Sequence, residues 1–432
     1  MPQPNTFLEL FSEPADDNWT FSGHTSYNHL THGYHRYPAK FVPLLVKKLI
    51  EEYTQKNDKV VDMFAGCGTT LVESKVHGRE SIGVDVNPIA RLITKAKITA
   101  IPSHKLDAAS DMLFERLKGY KANTIYFFDS PPRIDYWFRE EEKNKIAFLY
   151  RTVCDISNRN LRTFYLCALS NILKTCSRWL QSSTKPQVDP DRDNNIPDPF
   201  NIFKFQIKRM SKKNKEFYHT LAGAKNLRTK CEIKIADARR TGIEENSVGA
   251  LITSPPYVTS YEYADIHQLT GYWFDYISEI SSFRKKFIGT FYSNNKDKNI
   301  KAPIAKLIVS KLEKRSTKHA KEVAKYFNDM FEVSKEMHRI LKLGGMACIV
   351  MGNTTLRNVE IESAQAFTEM LFMNGFEISK VIKRQITSKQ IPTIRDKTTG
   401  RFATLEDANS KKVYPEEYII VARKKHARIQ SS

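Results

Sequence analysis

Lys59-Val60-Val61-Asp62-Met63-Phe64-Ala65-Gly66-Cys67-Gly68-Thr69-Thr70-Leu71 is the stretch on which the fold turns. Val60 to Phe64 is a short apolar run and reads as a buried strand; Ala65-Gly66-Cys67-Gly68 is a turn, and a helix opens at Thr69-Thr70. Glycines between a strand and a helix let the backbone approach a ligand where a side chain would collide, so this turn is a cofactor seat. Dinucleotide enzymes use a similar turn, but their third glycine is missing here, because Leu71 follows Thr70. Working outward, Ser81 to Asp85 reads as a second strand, and Pro88 sits in the first turn of a helix that runs to about Thr99. Two strand-helix units in series predict an α/β fold with a parallel, doubly wound sheet. Asp85, ending its strand, is placed to accept hydrogen bonds from ribose hydroxyls; the alternative is a helix-capping role with Asn87 and Pro88.

From Pro102 to Lys230 the pattern turns helical, with the aromatic cluster Tyr136-Trp137-Phe138, an apolar helix through Phe164 and Leu173, and a polar loop around Pro186 to Pro199. This stretch reads as an insertion. The sheet resumes at Glu232 to Asp237, where Asp237 is placed to accept from an adenine amino group, and continues with Val248 to Thr253. Further on, a helix through Val323, Phe327, Met330, Met337 and Leu341 is expected to close at Gly344-Gly345. A strand at Met346 to Met351, a helix around Ala364 to Met373, and strands near Phe376 and Tyr418 complete about seven strands.

The fourth strand leads into Ser254-Pro255-Pro256-Tyr257, whose residue types suit one chemistry. An exocyclic base amine is a poor nucleophile because its lone pair is delocalised into the ring. A site for it must accept its hydrogen bonds and favour a pyramidal nitrogen that attacks in line. Two prolines force an extended turn with no competing N–H, so the Pro255 carbonyl and the Ser254 hydroxyl supply acceptors, and Tyr257 offers a stacking face for an extruded base. Ser130-Pro131-Pro132-Arg133 repeats the first three residues, but Arg takes the fourth place and no sheet strand leads in; it reads as a loop.

These motifs resemble the amino-methyltransferase family of DNA-modifying enzymes. Phe64-Ala65-Gly66-Cys67-Gly68 is similar to its FxGxG cofactor loop, and Ser254 to Tyr257 to its (D/N/S)PP(Y/F) tetrad. His35-Arg36-Tyr37-Pro38-Ala39-Lys40-Phe41 resembles the short motif that closes over the methionine end of the cofactor. The resemblance implies a Rossmann-like seven-stranded sheet with a helical insertion, and S-adenosyl-L-methionine as the cofactor. It implies a seat formed by Tyr37, Pro38, Lys40 and Phe41, by Asp62 and Phe64 to Thr70 (Ala65, Gly66, Cys67, Gly68, Thr69 and Thr70 included), by Asp85, Val86 and Asn87, and by Asp237 and Ala238. Ser254, Pro255, Pro256 and Tyr257 are the implied catalytic residues. A serine heading the tetrad is similar to enzymes that methylate cytosine N4, whereas Asp or Asn is more typical of adenine N6. The expected function is therefore site-specific methylation of cytosine N4 in double-stranded DNA, as the protective partner of a restriction endonuclease. Adenine-N6 methylation, an RNA base methyltransferase and a catalytically silent DNA-binding subunit are the alternatives. Carbon-5 methylation needs a Pro-Cys nucleophile, and no such pair occurs.

Bulk properties agree with a nucleic-acid partner. The chain of 432 residues is long enough for a sizeable core, and a formal net charge of +20 attracts polyanions through counterion release. Arg284 to Lys325 holds 13 basic residues against 3 acidic ones; this segment and Lys204 to Lys230 are candidate phosphate contacts, and a loop among them or within Ser388 to Lys412 would read the bases. The 6 cysteines lack a CxxC pair or nearby histidines at ligand spacing, so no metal is expected. No run of eighteen apolar residues exists, so a cytoplasmic protein without a membrane partner is expected. The expected organisation is residues 20–100 and 231–425 as two parts of one methyltransferase domain, the latter with a basic insertion at 281–325, and 101–230 as the helical insertion.

Overall fold

Val60 and Val61 point to opposite sides of their strand and both are fully buried, which requires a sheet covered on both faces. A computed structural model describes residues 8–21, 28–127, 132–258, 262–290, 299–386, 394–396, 404, 406–407, 410–412 and 416–425. It contains a sheet of seven strands: β1 (Val60–Asp62), β2 (Ser81–Asp85), β3 (Cys231–Ile235), β4 (Val248–Thr253), β5 (Leu341–Met351), β6 (Phe376–Gln385) and β7 (Glu416–Lys424). Their order is β3-β2-β1-β4-β5-β7-β6. The first five are parallel, and β7 is antiparallel to both β5 and β6. The order reverses direction at β1, which lies between β2 and β4, so a crevice opens at the carboxyl ends of these strands.

Side-chain alternation divides the core. Val60, Ile252, Val350, Ile419 and Val421 meet Leu45, Val46, Leu49 and Ile50 of α1 (Pro43–Tyr53) on one face. Val61, Leu251, Ala347, Ile349 and Ile420 meet Ile308 of α8, Val323, Phe327 and Met337 of α9, and Phe367 of α10 on the other; these helices span Pro303–Glu313, Thr317–Ile340 and Ser363–Met373. Each such fully buried aliphatic side chain contributes about 1.5–3 kcal/mol. Between them in sequence come α2 (Thr69–Val76), α3 (Pro88–Ile98), α4 (Ser103–Leu117), α5 (Glu140–Cys154), α6 (Arg159–Leu173) and α7 (Pro199–Gly223). The helices α4 to α7 share one apolar cluster with Ile89, Ile93 and Ala96 of α3, and Trp137 stacks on Trp179 with ring centroids 5.0 Å apart.

Three local expectations are corrected. β1 ends at Asp62, so Met63 and Phe64 already belong to the turn. α9 ends at Ile340, and Leu341 starts β5; Gly344 (φ +74°) and Gly345 lie inside that strand, where the β4 to β5 register shifts. They serve a bulge, since a Cβ on Gly345 would lie 2.9 Å from the Gly249 carbonyl oxygen. Pro132 and Arg133 open a short helix to Trp137 instead of a loop, while Ser130 and Pro131 lie outside the described residues.

Candidate active site

Asp62 ends β1 as a buried carboxylate that accepts from Thr70 Oγ1 and Thr253 Oγ1, both at 2.6 Å, and from the Phe64 N–H at 3.1 Å. It ties β1 to the start of α2 and to the end of β4, which fixes the cofactor turn relative to the tetrad that follows Thr253. Burial raises its pKa, and the two threonines pull against that rise. Gly66 (φ +48°) lies under the Tyr37 ring, where a Cβ would meet Tyr37 Cε1 at 3.3 Å. Gly68 (φ +76°) backs onto Thr94, where a Cβ would lie 2.5 Å from Cγ2. The turn is further fastened by Thr94 Oγ1 donating to the Gly66 carbonyl at 3.0 Å and by the buried Lys97 Nζ donating to the Cys67 carbonyl at 2.7 Å.

Asp85 closes the turn from the neighbouring strand, accepting from the Gly66 N–H and the Asn87 N–H, each at 2.8 Å. Burial pushes its carboxyl up to about 6 despite these donors, and nearby Asp62 adds to the rise. Capping of α3 falls to Asn87, whose side chain accepts from the Ile89 N–H at 2.9 Å. Asp85 thus fastens the turn, and Asn87 caps the helix.

One cavity joins these parts. Of the expected cofactor residues it is lined by Tyr37, Lys40, Phe41, Asp62, Phe64, Ala65, Gly66, Cys67, Thr69, Asp85, Val86, Asp237 and Ala238, together with Ser254 and Pro256 of the tetrad. Pro38, Gly68, Thr70 and Asn87 are not among the lining residues, nor are Pro255 and Tyr257. Sequence reasoning missed Glu262, Tyr263 and the run Lys286 to Thr290, which also line it. Tyr263 stacks on Tyr37 with centroids 6.0 Å apart.

Asp237 does not stand alone. Arg239 donates to both of its carboxylate oxygens, the shortest contact being 2.6 Å, and also reaches Asp329 Oδ1 of α9 at 2.6 Å. Burial pushes the Asp237 carboxyl up, but the Arg239 hydrogen bonds outweigh it and leave the group below the usual carboxylate range.

The tetrad is anchored from behind. Tyr326 Oη of α9 donates to the Pro256 carbonyl at 2.9 Å, and the Tyr257 hydroxyl donates to Glu417 Oε2 at 3.0 Å. Glu417 pairs with the buried Arg384, whose Nε also donates to the Trp19 carbonyl at 2.6 Å. Burial and the Glu417 carboxylate raise the Tyr257 phenol well above its usual value, so it stays protonated as a donor. Ser254 lines the cavity, and its side chain is hydrogen-bonded with that of Tyr257.

Among the described residues, His29, His32 and Glu73 form one group with metal-ligand chemistry. His32 Nε2 lies 2.6 Å from Glu73 Oε1, a direct hydrogen bond; ligands around a tetrahedral zinc stand roughly 3.3 Å apart for bonds of about 2.0 Å. His32 and Glu73 are buried and His29 is part-exposed; together they clamp the Leu30–Gly33 turn to α2.

A model of the DNA methylase family matches residues 8–95 and 248–431. The Type II methyltransferase M.MvaI of Kocuria varians is 26% identical over 417 residues, covering 89% of this chain and 91% of the relative. M.BsoBI of Geobacillus stearothermophilus, also named a Type II methyltransferase, is 26% identical over 274 residues, covering 56% of this chain and 52% of the relative. Among solved structures, an S-adenosylmethionine-dependent methyltransferase from Methanosarcina mazei aligns with TM-score 0.32 at 10% identity over 88% of this chain and 98% of its own.

Proposed function

Because the chain belongs to the DNA methylase family of amino-methyltransferases, which take their methyl group from S-adenosylmethionine, we propose that it methylates cytosine N4 in duplex DNA. The observation that carries the base assignment is Ser254, at the head of the tetrad and on the wall of the cavity that also holds Asp85 and Asp237. A serine hydroxyl is a short, uncharged acceptor beside the Pro255 carbonyl, and two acceptors suit an amino group with two N–H donors.

The residues present fit the cofactor. Gly66 and Tyr37, packed on each other, both line the cavity; the Asp85 carboxylate suits paired ribose hydroxyls, and the Asp237 carboxylate suits an adenine amino group. S-adenosylmethionine supplies an electrophilic methyl group there. The chain's part is to extract the base, hold its amine between Ser254 and Pro255, and exclude water beneath Tyr37 and the Lys286 to Thr290 run. In this reading Tyr257 gives a ring against the extruded base, and its hydroxyl, held by Glu417, sets the ring's tilt. The exposed cations of α8 and the start of α9 serve the phosphates. The wider setting we propose is a restriction-modification pair in the cytoplasm, with an endonuclease that cuts the same sequence.

Incubation with duplex DNA and methyl-labelled cofactor, followed by nucleoside analysis, tests the base assignment. Label in N4-methylcytosine is expected; label confined to N6-methyladenine would sink it. DNA from cells expressing the chain should also resist the paired endonuclease.

A further inference from the structure

The helix α9 touches both halves of the site within a single turn. Tyr326 donates to the Pro256 carbonyl of the tetrad at 2.9 Å, and three residues on, Asp329 holds Arg239, which clasps Asp237. Lys325 also pairs with Asp329. Tyr326 is 2% exposed, and burial raises its phenol above the usual value. Its hydroxyl is therefore a fixed neutral donor. The peptide between Pro255 and Pro256 has no N–H of its own, because Pro256 lacks one, so no donor within it can pin the turn.

We propose that Tyr326 is the positioning residue of the tetrad. By engaging the Pro256 carbonyl it fixes the plane of the peptide between Pro256 and Tyr257, and with it the direction in which the preceding Pro255 carbonyl faces the target amine. The Arg239 to Asp329 contact does the corresponding work for Asp237, so one rigid helix sets the distance between the acceptor on the cofactor side and the acceptors on the amine side. Gly289, a member of the cavity wall, lies beside the Tyr326 ring, where an added Cβ would stand 3.5 Å from it. This proposal rests on methyl transfer to DNA by the tetrad but not on which base accepts it.

The test compares Tyr326→Phe, which removes one oxygen from a buried ring, with Arg239→Gln. The readouts are the single-turnover rate of total label transferred to duplex DNA and the Kd for S-adenosylmethionine by calorimetry. Tyr326→Phe is expected to slow transfer about 10- to 100-fold, with the cofactor Kd within about two-fold of the wild type. Arg239→Gln is expected to give the converse pattern, weakening the cofactor by about five-fold or more with a smaller effect on the rate at saturation. An unchanged transfer rate in Tyr326→Phe overturns the proposal. So does a slow rate accompanied by an equal loss of cofactor binding, which would assign the ring to packing alone. Failure of the wild-type protein to label any DNA would instead overturn the function proposed above, and the two outcomes are read from different samples.

Discussion

At Asp85 the same carboxylate closes the glycine turn and faces the cavity, and its environment sets a pH window. Burial holds its pKa at about 6, above the value of about 4 expected in the unfolded chain. Ribose hydroxyls bind best to the ionised form, so cofactor affinity should rise with pH through about 6 and level off above it. Below that point Kd should grow by up to about tenfold per pH unit. The histidines beside the site do not confuse this reading, because burial holds His35 and His267 neutral, with pKa values lowered to about 4 and about 3. Calorimetric titrations between about pH 5 and 8 check it, and Asp85→Asn should bind weakly with a flat profile across that range. For folding the sign is opposite: a raised carboxyl pKa favours the protonated native state, so this group's contribution is present at low pH and is lost as pH climbs through about 6. Gly68 gives a steric counterpart. Its φ of +76° and the 2.5 Å approach of a Cβ to Thr94 Cγ2 predict that Gly68→Ala destabilises the protein. The loss should be roughly 2–4 kcal/mol, seen as a lower midpoint in urea unfolding with the slope unchanged.

The elements behind the tetrad act as a bracket, and its keystone is an ion pair between adjacent strands. Arg384 of β6 and Glu417 of β7 are paired, 3% and 13% exposed, with Tyr257 on one side and the Trp19 carbonyl on the other. Replacing Arg384 with Met strands a buried carboxylate, so Arg384→Met should lose about 3–5 kcal/mol in chemical denaturation. It should also slow transfer, because Tyr257 then hangs from an unanchored Glu417. This bracket shows where the sequence was readable and where it was not. Seven strands, the glycine turn and the tetrad are local patterns of period, turn chemistry and spacing, and all were found within a few residues of their places. The partners were not. Tyr326 lies 70 residues from Pro256, and Glu417 lies 160 from Tyr257. Only the return of α9 across the sheet and the reversal of β7 bring them together. Arg239 is two residues from Asp237, yet spacing alone gives no reason for it to fold back instead of facing solvent, and the Asp329 that draws it in lies 90 residues away. The glycines at 344 and 345 illustrate a competing rule. They have the composition of a helix cap, but the close approach of β4 takes them into a bulge.

Across the whole molecule the charge is uneven in a way that favours one edge. β4 and β5 are parallel, so the tetrad after β4 and the hairpin after β5 (Thr354–Leu356 with Val359–Ile361) leave the sheet at the same edge. The hairpin tip carries exposed Arg357, with Arg357 and Asn358 both left-handed at φ +52° and +60°. Arg357 lies near enough to lower the pKa of His319 at the start of α9, after burial itself, and a cleft beside the hairpin is lined by Lys311, Lys314 and Arg315 together with Asn358, Glu360 and Glu362. Lys306, Lys318 and Lys321 are exposed on the same pair of helices. A duplex lying along this edge would place its phosphates over these cations while an extruded base reaches the tetrad. Affinity would then be largely counterion release, and log K should fall linearly with log salt. Replacing Lys311, Lys314 and Arg315 together by Ala should flatten that line by ~2.7, at ~0.9 for each phosphate contact removed. The loss should be the same for any DNA sequence, because phosphate contacts carry orientation and not base identity. Filter binding of the triple variant across a range of salt concentrations measures the slope directly. A slope equal to that of the wild type would move the DNA path off this edge and leave the +20 charge to be neutralised elsewhere.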